Sequence, residues 1–357
     1  MKILYIASGL SIHSYKWISF FSEEHDVIWV STNGFSEEFL GNTNITYLDY
    51  HFTKNNLANS IIGIFKIILD SKKIDILHLH YIGFHSLLTL FLKNNRFIIT
   101  AWGSDIVFGS NSIFKKKILL SLLKRSHLIT CDSSHMKEKI LNLVSTSSTK
   151  IINFGIDTKK FKKTSFNHDF KKNLSLSSKN IVISTRSHED IYDISTFIKS
   201  AKYVTDKHPD TTFIIAGQGS QTLELKKEVE SLSLIKNIIF TGSLNNEEIF
   251  NFLSISTIYV STALSDGGIA ASTAEAMSSE IPCIITDVAD NSEWITDGVT
   301  GMLFNKSDPI HLSNKISMLI NDKLLRKNIG KNARKLIQEK NDFFREMQKM
   351  NKLYKYI

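Results

Sequence analysis

Two Rossmann-like α/β domains with parallel sheets, facing each other across a cleft, are the architecture this sequence predicts. Three observations predict it. Short β-branched and aliphatic runs alternate with longer amphipathic stretches. The alternation breaks once, over a polar and basic segment at 159–178, and then restarts. At 357 residues the chain has the length of roughly two domains. Strands alternating with helices imply parallel sheets with crossovers, and such sheets bind ligands beyond the carboxyl ends of their strands.

In the first half, strands are expected at 2–7, 26–31, 45–49, 75–79, 97–101, 127–131 and 150–153, with helical patterns at 14–24, 57–71 and 112–124. After the break, strands are expected at 180–184, 212–216, 238–241, 258–260 and 282–286. The predicted division is 1–165, then 178–335, then a C-terminal helix over 336–357. That helix is amphipathic and needs a partner surface, on the first domain or the second. No apolar run approaches the roughly 20 residues of a membrane span, and the N-terminus reads as a buried first strand rather than a signal peptide. Cys131 and Cys283 sit in apolar strand contexts and read as reduced core thiols of a cytoplasmic protein. The net charge of +8 favours anionic partners. Motifs for nucleic-acid binding are missing, so no nucleic-acid partner is expected.

Several strand ends carry candidate chemistry. The richest is the run from Ser265 to Met277, where Asp266, Gly267 and Gly268 precede an Ala-rich helical pattern containing Glu275. A helix starting near Gly268 or Ile269 would present free backbone N–H groups to an anionic or oxygen-rich ligand. Glu275, about two turns in, could reach the same ligand. A sugar nucleotide offers oxygens at both places; a Gly turn capped by Asp266 is the plainer alternative. Gly9 lies in a small-residue turn after the first strand. Trp102 and Asp105 follow the strand at 97–101, with loop packing and helix capping as their plainer roles. Arg186 ends the strand at 180–184, where its planar fork suits a diphosphate or an inter-strand ion pair. Gly217, Gly219, Gly242 and Ser243 follow two further strands, and their turns suit close approach of a flat base. His78 and His80 share one strand face and, with no carboxylate or cysteine beside them, read as core or lining rather than metal ligands. No metal site is expected.

Taken together, Ser184-Thr185-Arg186, Ala216-Gly217-Gln218-Gly219, Phe240-Thr241-Gly242, Tyr259-Val260-Ser261, Glu275-Ala276-Met277, Pro282-Cys283-Ile284 and the run 297–304 resemble glycosyltransferase family 4 of the GT-B superfamily. Asn153-Phe154-Gly155-Ile156-Asp157 with Phe161 resembles that family's link between domains. Asn291 to Ile295 and Trp102 look similar to a subgroup of bacterial cell-surface polysaccharide transferases. The resemblance implies a retaining transfer from a nucleotide-activated sugar, without a required metal or other cofactor, to a hydroxyl of a glycan or lipid-linked acceptor. The segment 1–165 would then be the acceptor side and 178–335 the nucleotide-sugar side.

The resemblance also implies roles. Arg186 would bind the diphosphate and Glu275 the ribose hydroxyls, with Gly9 near the donor phosphate. Three positions depart from the pattern. Gly267 stands where the first of two Glu residues is usual, so Asp266 or the amides of Gly267, Gly268 and Ile269 would take the sugar hydroxyls. Tyr192 stands near the place of a usual Lys and would offer only a hydroxyl. Trp102 replaces a frequent His. Catalytic roles are thus expected for Arg186, Asp105 and Asp266. Other readings are a GT-B-fold sugar-nucleotide epimerase and an inert sugar-nucleotide-binding homologue. A nicotinamide oxidoreductase would need the full G-x-G-x-x-G that this chain lacks. Finally, Lys115, Lys116, Lys117, Lys124 and Arg125 flank an apolar series from Phe114 to Leu123. The pattern is either an ordinary packed helix with Phe114, Ile118 and Leu122 on one side, or a peripheral contact with anionic membrane at the inner face of the cytoplasmic membrane.

Overall fold

The computed structural model describes residues 1–50, 73–92, 96–109, 112–144, 148–266, 268–288 and 291–357. The helical pattern expected at 57–71 lies outside the described residues. The chain divides into two compact units, Met1–Phe154 with Phe344–Ile357, and Gly155–Phe343. The passage between them falls at Phe154, ahead of the boundary expected from composition. Part of the polar stretch 159–178 is helical, at His168–Asn173, because Phe170 finds an apolar partner in Phe252, their rings 5.1 Å apart.

Among the described residues, the first unit holds β1 (Lys2–Ile6), β2 (Asp26–Ser31), β3 (Ile45–Asp49), β4 (Ile76–His80), β5 (Phe97–Thr100), β6 (Leu128–Cys131) and β7 (Ser148–Ile151). They form one sheet in the order β3-β2-β1-β4-β5-β6-β7, with every neighbouring pair parallel. β7 starts two residues before the expected 150–153, because its ladder with β6 pairs Ser148 with Leu128. Both faces of the central strands are buried, as parallel sheets require. Leu4, Ile6, Leu77 and Leu79 join one apolar cluster, while Tyr5, His78 and His80 point to the other face, itself fully buried.

That second face is partly polar, and the last helix brings a hydrogen-bond partner to two of its residues, Tyr5 and His78. Residues 336–357 are not one helix. They belong to Lys323–Lys340 and Phe343–Tyr356, separated by Asn341 and Asp342. Pairing with Ile156 forces the break: Ile156 N–H donates to Asn341 O at 2.9 Å, and Phe343 N–H to Ile156 O at 2.9 Å. Gly155 permits it, since a Cβ there would meet Phe343 Cα at 2.6 Å and its φ is +73°. The Phe343–Tyr356 helix buries Glu346, Met347, Met350 and Tyr354, one face of a helix. Its residues from Phe344 onward belong to the first unit. Tyr354 Oη lies 2.6 Å from His78 Nδ1 and 2.8 Å from Tyr5 Oη. His78 Nε2 lies 2.7 Å from Thr100 Oγ1, which lies 2.7 Å from Thr130 Oγ1. Burial keeps His78 neutral by holding its pKa well below the usual histidine range, with His80 adding to the effect.

The second unit holds β8 (Asn180–Ser184), β9 (Thr211–Ala216), β10 (Ile238–Gly242), β11 (Ile258–Ser261), β12 (Cys283–Thr286) and β13 (Met302–Phe304), ordered β10-β9-β8-β11-β12-β13. All pairs are again parallel. β13, three residues long, was not among the expected strands: it is too short to show a period. Two apolar clusters cover the two faces, one containing Val182, Phe213 and Val260 and the other Ile183, Ile214 and Tyr259. Cys131 and Cys283 are buried and free. Among the described residues no helix is long and apolar enough to cross a membrane.

Replacing Tyr354 with Phe removes one hydroxyl shared by His78 and Tyr5 and leaves both buried without it. Urea unfolding should show a loss of about 1–3 kcal/mol. A stability equal to wild type would mean that the network does not hold the helix.

Candidate functional site

The order of each sheet reverses once: β1 has β4 as its next neighbour, and β8 has β11. The loops leaving such a pair diverge, and a crevice opens between them at the carboxyl ends. In the second unit, Arg186 stands two residues beyond β8, while Asp266 and Ser272 follow β11. The structure brings these together. Arg186 Nη2 donates to Asp266 Oδ1 at 2.6 Å, and the two side chains are 9% and 11% exposed. Arg186 Nη1 reaches Ser272 Oγ at 3.5 Å. Its guanidinium carbon lies 4.3 Å from the centre of the Tyr192 ring, a cation–π contact. Beneath, Tyr259 Oη donates to Ser272 Oγ at 2.9 Å and lies 3.3 Å from Thr185 Oγ1. Burial raises the Asp266 carboxyl above the usual carboxylate range, with Arg186 opposing the shift.

Asp266 is therefore a counter-ion, not a helix cap. The helix that follows is Ala271–Ser278, with Ala270 at its N-cap and no side-chain hydrogen bond there. It starts later than the expected Gly268 or Ile269: Gly268 has φ +76°, outside the helical region, and Ile269 packs against the core. Gly267 lies outside the described residues. Glu275, half-buried, sits in the second turn of this helix.

Gly217, Gly219 and Gly242 meet at the neighbouring strand ends. Gly217 N–H donates to Gly242 O at 2.8 Å. A Cβ on Gly217 would stand 2.6 Å from Arg186 O, so the β9 turn can lie against the Arg186 backbone only as glycine. A cavity of about 630 Å³ opens here, lined by Gly217, Gly219, Gly242, His188, Lys226 and Phe240 among others. Ser243 follows directly and is exposed. His188 is buried; its Nδ1 lies 2.9 Å from Thr222 Oγ1, and burial followed by Lys226 lowers its pKa. A second cavity, about 370 Å³, lies beside Thr257 and Pro282. Those residues precede β11 and β12, so it opens at the opposite ends of the strands from Arg186.

The first unit places Gly9, Trp102 and Asp105 at its own carboxyl ends. Asp105, expected among the catalytic residues, is used to hold its loop. It is buried, Oδ1 accepts from Trp102 N–H and Ile106 N–H at 3.0 Å each, and Oδ2 accepts from Ile82 N–H at 2.9 Å. Burial raises its pKa, and these backbone donors oppose that. Gly9 is glycine because the loop 31–35 lies against it: a Cβ would stand 2.0 Å from Gly34 O. Its N–H donates to Ser31 Oγ at 3.0 Å, so that amide is engaged within the protein rather than offered to a phosphate. Trp102 packs edge-on against Phe154, Tyr81 and His13, with centroids 5.0, 6.0 and 5.9 Å away. His78 and His80 are core. Among the described residues no three His, Cys, Asp or Glu side chains cluster to hold a metal ion.

Sequence reasoning missed Tyr259 and Ser272 and read Tyr192 by its hydroxyl. Tyr192 carried a signal in its distance from Arg186 along the chain, while Tyr259 and Ser272 lay in runs singled out without a role for either residue. The other two become part of the site through β8–β11 pairing, which no local pattern displays.

The family described as Glycosyl transferases group 1 matches residues 165–336, and the one described as Glycosyl transferase 4-like matches residues 2–133. N-acetyl-alpha-D-glucosaminyl L-malate synthase of Bacillus anthracis is 25% identical over 282 residues, covering 76% of this chain and 72% of that protein. The Escherichia coli UDP-Gal:alpha-D-GlcNAc-diphosphoundecaprenol alpha-1,3-galactosyltransferase is 28% identical over 162 residues, 44% of this chain and 41% of that one. The crystal structure of Anabaena Alr3699/HepE in complex with UDP superimposes with a TM-score of 0.85 at 16% identity, covering 100% of both chains. The chain belongs to the family-4-like glycosyltransferases and has their GT-B type of fold, built from two Rossmann-like units.

Asp105→Ala should cost about 1–3 kcal/mol for each backbone amide left buried without an acceptor. Urea unfolding measures it, and an unchanged midpoint would show that water replaces the carboxylate.

Proposed function

We propose that this glycosyltransferase moves a sugar, with retention, from a nucleotide-activated donor to a hydroxyl of a glycan or lipid-linked acceptor in cell-surface polysaccharide synthesis. The observation that carries the reading is the buried Arg186 at the carboxyl-end crevice between β8 and β11, next to a helix N-terminus without a side-chain cap. A leaving diphosphate develops negative charge, and a guanidinium fork with oriented amides is a preorganised response to it. In this reading Arg186 receives the diphosphate, Glu275 the ribose hydroxyls, and the cavity at Gly217, Gly219 and Gly242, with Ser243 at its edge in the chain, the base. The amides around Gly268 and Ile269 take sugar hydroxyls. The acceptor hydroxyl attacks on the face the diphosphate leaves, and a phosphate oxygen takes its proton, so the reading needs no separate base, metal or cofactor. The aromatic group around Trp102 in the first unit serves the acceptor. The name of the Escherichia coli relative, which specifies a diphosphoundecaprenol-linked substrate, supports the choice of acceptor class.

The basic helix Ile113–Arg125 supports a location at the inner face of the cytoplasmic membrane. Leu119, Leu122 and Leu123 face the core, but Phe114 does not share their side as expected: Ile113 and Phe114 are 80% and 73% exposed beside Lys115, Lys116 and Lys117. Exposed apolar side chains among lysines suit an anionic lipid surface, where each lysine contributes about 1 kcal/mol.

Incubation with a panel of sugar nucleotides, with and without lipid-linked acceptor, tests the activity. Acceptor-dependent release of nucleoside diphosphate is expected, and a modified sugar released without acceptor would make the protein an epimerase. Glu275→Ala should weaken donor binding by about 2–4 kcal/mol in calorimetry; unchanged affinity in a folded variant removes the ribose assignment. Co-sedimentation with anionic vesicles should weaken with salt and fall when Lys115, Lys116 and Lys117 become Gln. Binding indifferent to both would move the contact elsewhere.

A further inference from the structure

We infer that Asp266 is the resting counter-ion of Arg186, and that the donor's diphosphate displaces it from the guanidinium. The inference rests on the reading of Arg186 as the diphosphate ligand and goes beyond it, because it gives Asp266 an effect on affinity opposite in sign to that of a binding residue.

The geometry argues it in three steps. A buried guanidinium without an anion is strongly unfavourable, and at 9% side-chain exposure Arg186 has little access to water. Among the described residues, Asp266 is the carboxylate that meets this need, at 2.6 Å from Nη2. A diphosphate arriving at the same fork would bring further negative charge within a few ångströms of that carboxylate, and like charges so close in a dry site are costly. One anion must yield. Diphosphate carries more charge and more acceptor oxygens, so Asp266 leaves.

The remaining contacts of Arg186 are suited to such an exchange. The Tyr192 ring supports the flat face of the guanidinium at 4.3 Å, and this contact does not depend on which anion holds the edge. Ser272 Oγ, 3.5 Å from Nη1, is tied to Tyr259 at 2.9 Å and stays in place. Tyr192 thus acts as a positioning residue: it keeps the fork aimed while its partner changes. Asp266, by contrast, loses its partner, and its burial makes a bare carboxylate unfavourable there. Every donor molecule therefore binds against the opposition of Asp266. A sugar-holding Asp266 would instead favour the donor over the free nucleotide, and a purely structural one would affect neither.

Titration of inorganic pyrophosphate, UDP, GDP and ADP into the full chain separates these outcomes. Asp266→Asn keeps the shape and removes the charge, and it should bind pyrophosphate and the preferred nucleoside diphosphate at least fivefold tighter than wild type. Asp266→Ser should do the same and serves if the Asn variant does not fold. Asp266→Glu retains the charge and should show no such gain, and Arg186→Gln should bind at least tenfold more weakly. If the Asn and Ser variants bind equally or more weakly while Arg186→Gln still loses affinity, the exchange is overturned and the diphosphate reading stands. If Arg186→Gln binds as wild type does, both fall together.

Discussion

Parallel pairing is the constraint on which the rest of this structure depends. When every neighbouring pair of strands runs the same way, all carboxyl ends gather on one edge of the sheet, and every connection must return over a face. The faces are thereby buried, and the side chains on both of them are mainly apolar. The edge is left for chemistry, and it opens most where the strand order reverses. β8 and β11 form that reversal in the second unit, which is why Arg186 and Asp266, 80 residues apart in the chain, share one hydrogen bond.

Two buried carboxylates show how the same physical problem receives two answers. Asp105 and Asp266 are both pushed by burial away from the charged form. Asp105 is answered by three backbone amides, which belong to the loop and cannot leave without unmaking it. Asp266 is answered by one side chain that can accept another anion. The first arrangement fixes a loop, and the second leaves a charge available.

Much of the fold was legible because parallel strands buried on both faces are short aliphatic runs, and those runs survive in the sequence as they stand. Where an end is set by a partner rather than by composition, the reading moved: β7 follows its ladder with β6, and the last helix is broken by Ile156. Phe114 shares a period with Ile118 and Leu122 yet lies on the surface, because periodicity records spacing and not which residues meet the sheet. At the site, Arg186, Asp266 and the three glycines were visible as strand-end residues. Their mutual arrangement was not, because Tyr259 looks like any strand aromatic and Ser272 like any helix residue until β8 and β11 are side by side. Gly9 and Asp105 show the converse: each occupies a suggestive place in the chain, and each is spent on its own loop.

The return of Phe344–Ile357 into the first unit has a consequence for how the protein is made. Ribosomal synthesis delivers Met1–Phe154 first, but the hydroxyl that satisfies His78 and Tyr5 sits on Tyr354. The whole of Gly155–Phe343 is translated in between, which at 5–20 residues per second takes roughly 10–40 s. During that interval the nascent first unit lacks the hydroxyl partner of His78 and Tyr5, while the second unit can complete its own core as it emerges. The unit that begins the chain is thus the later to finish.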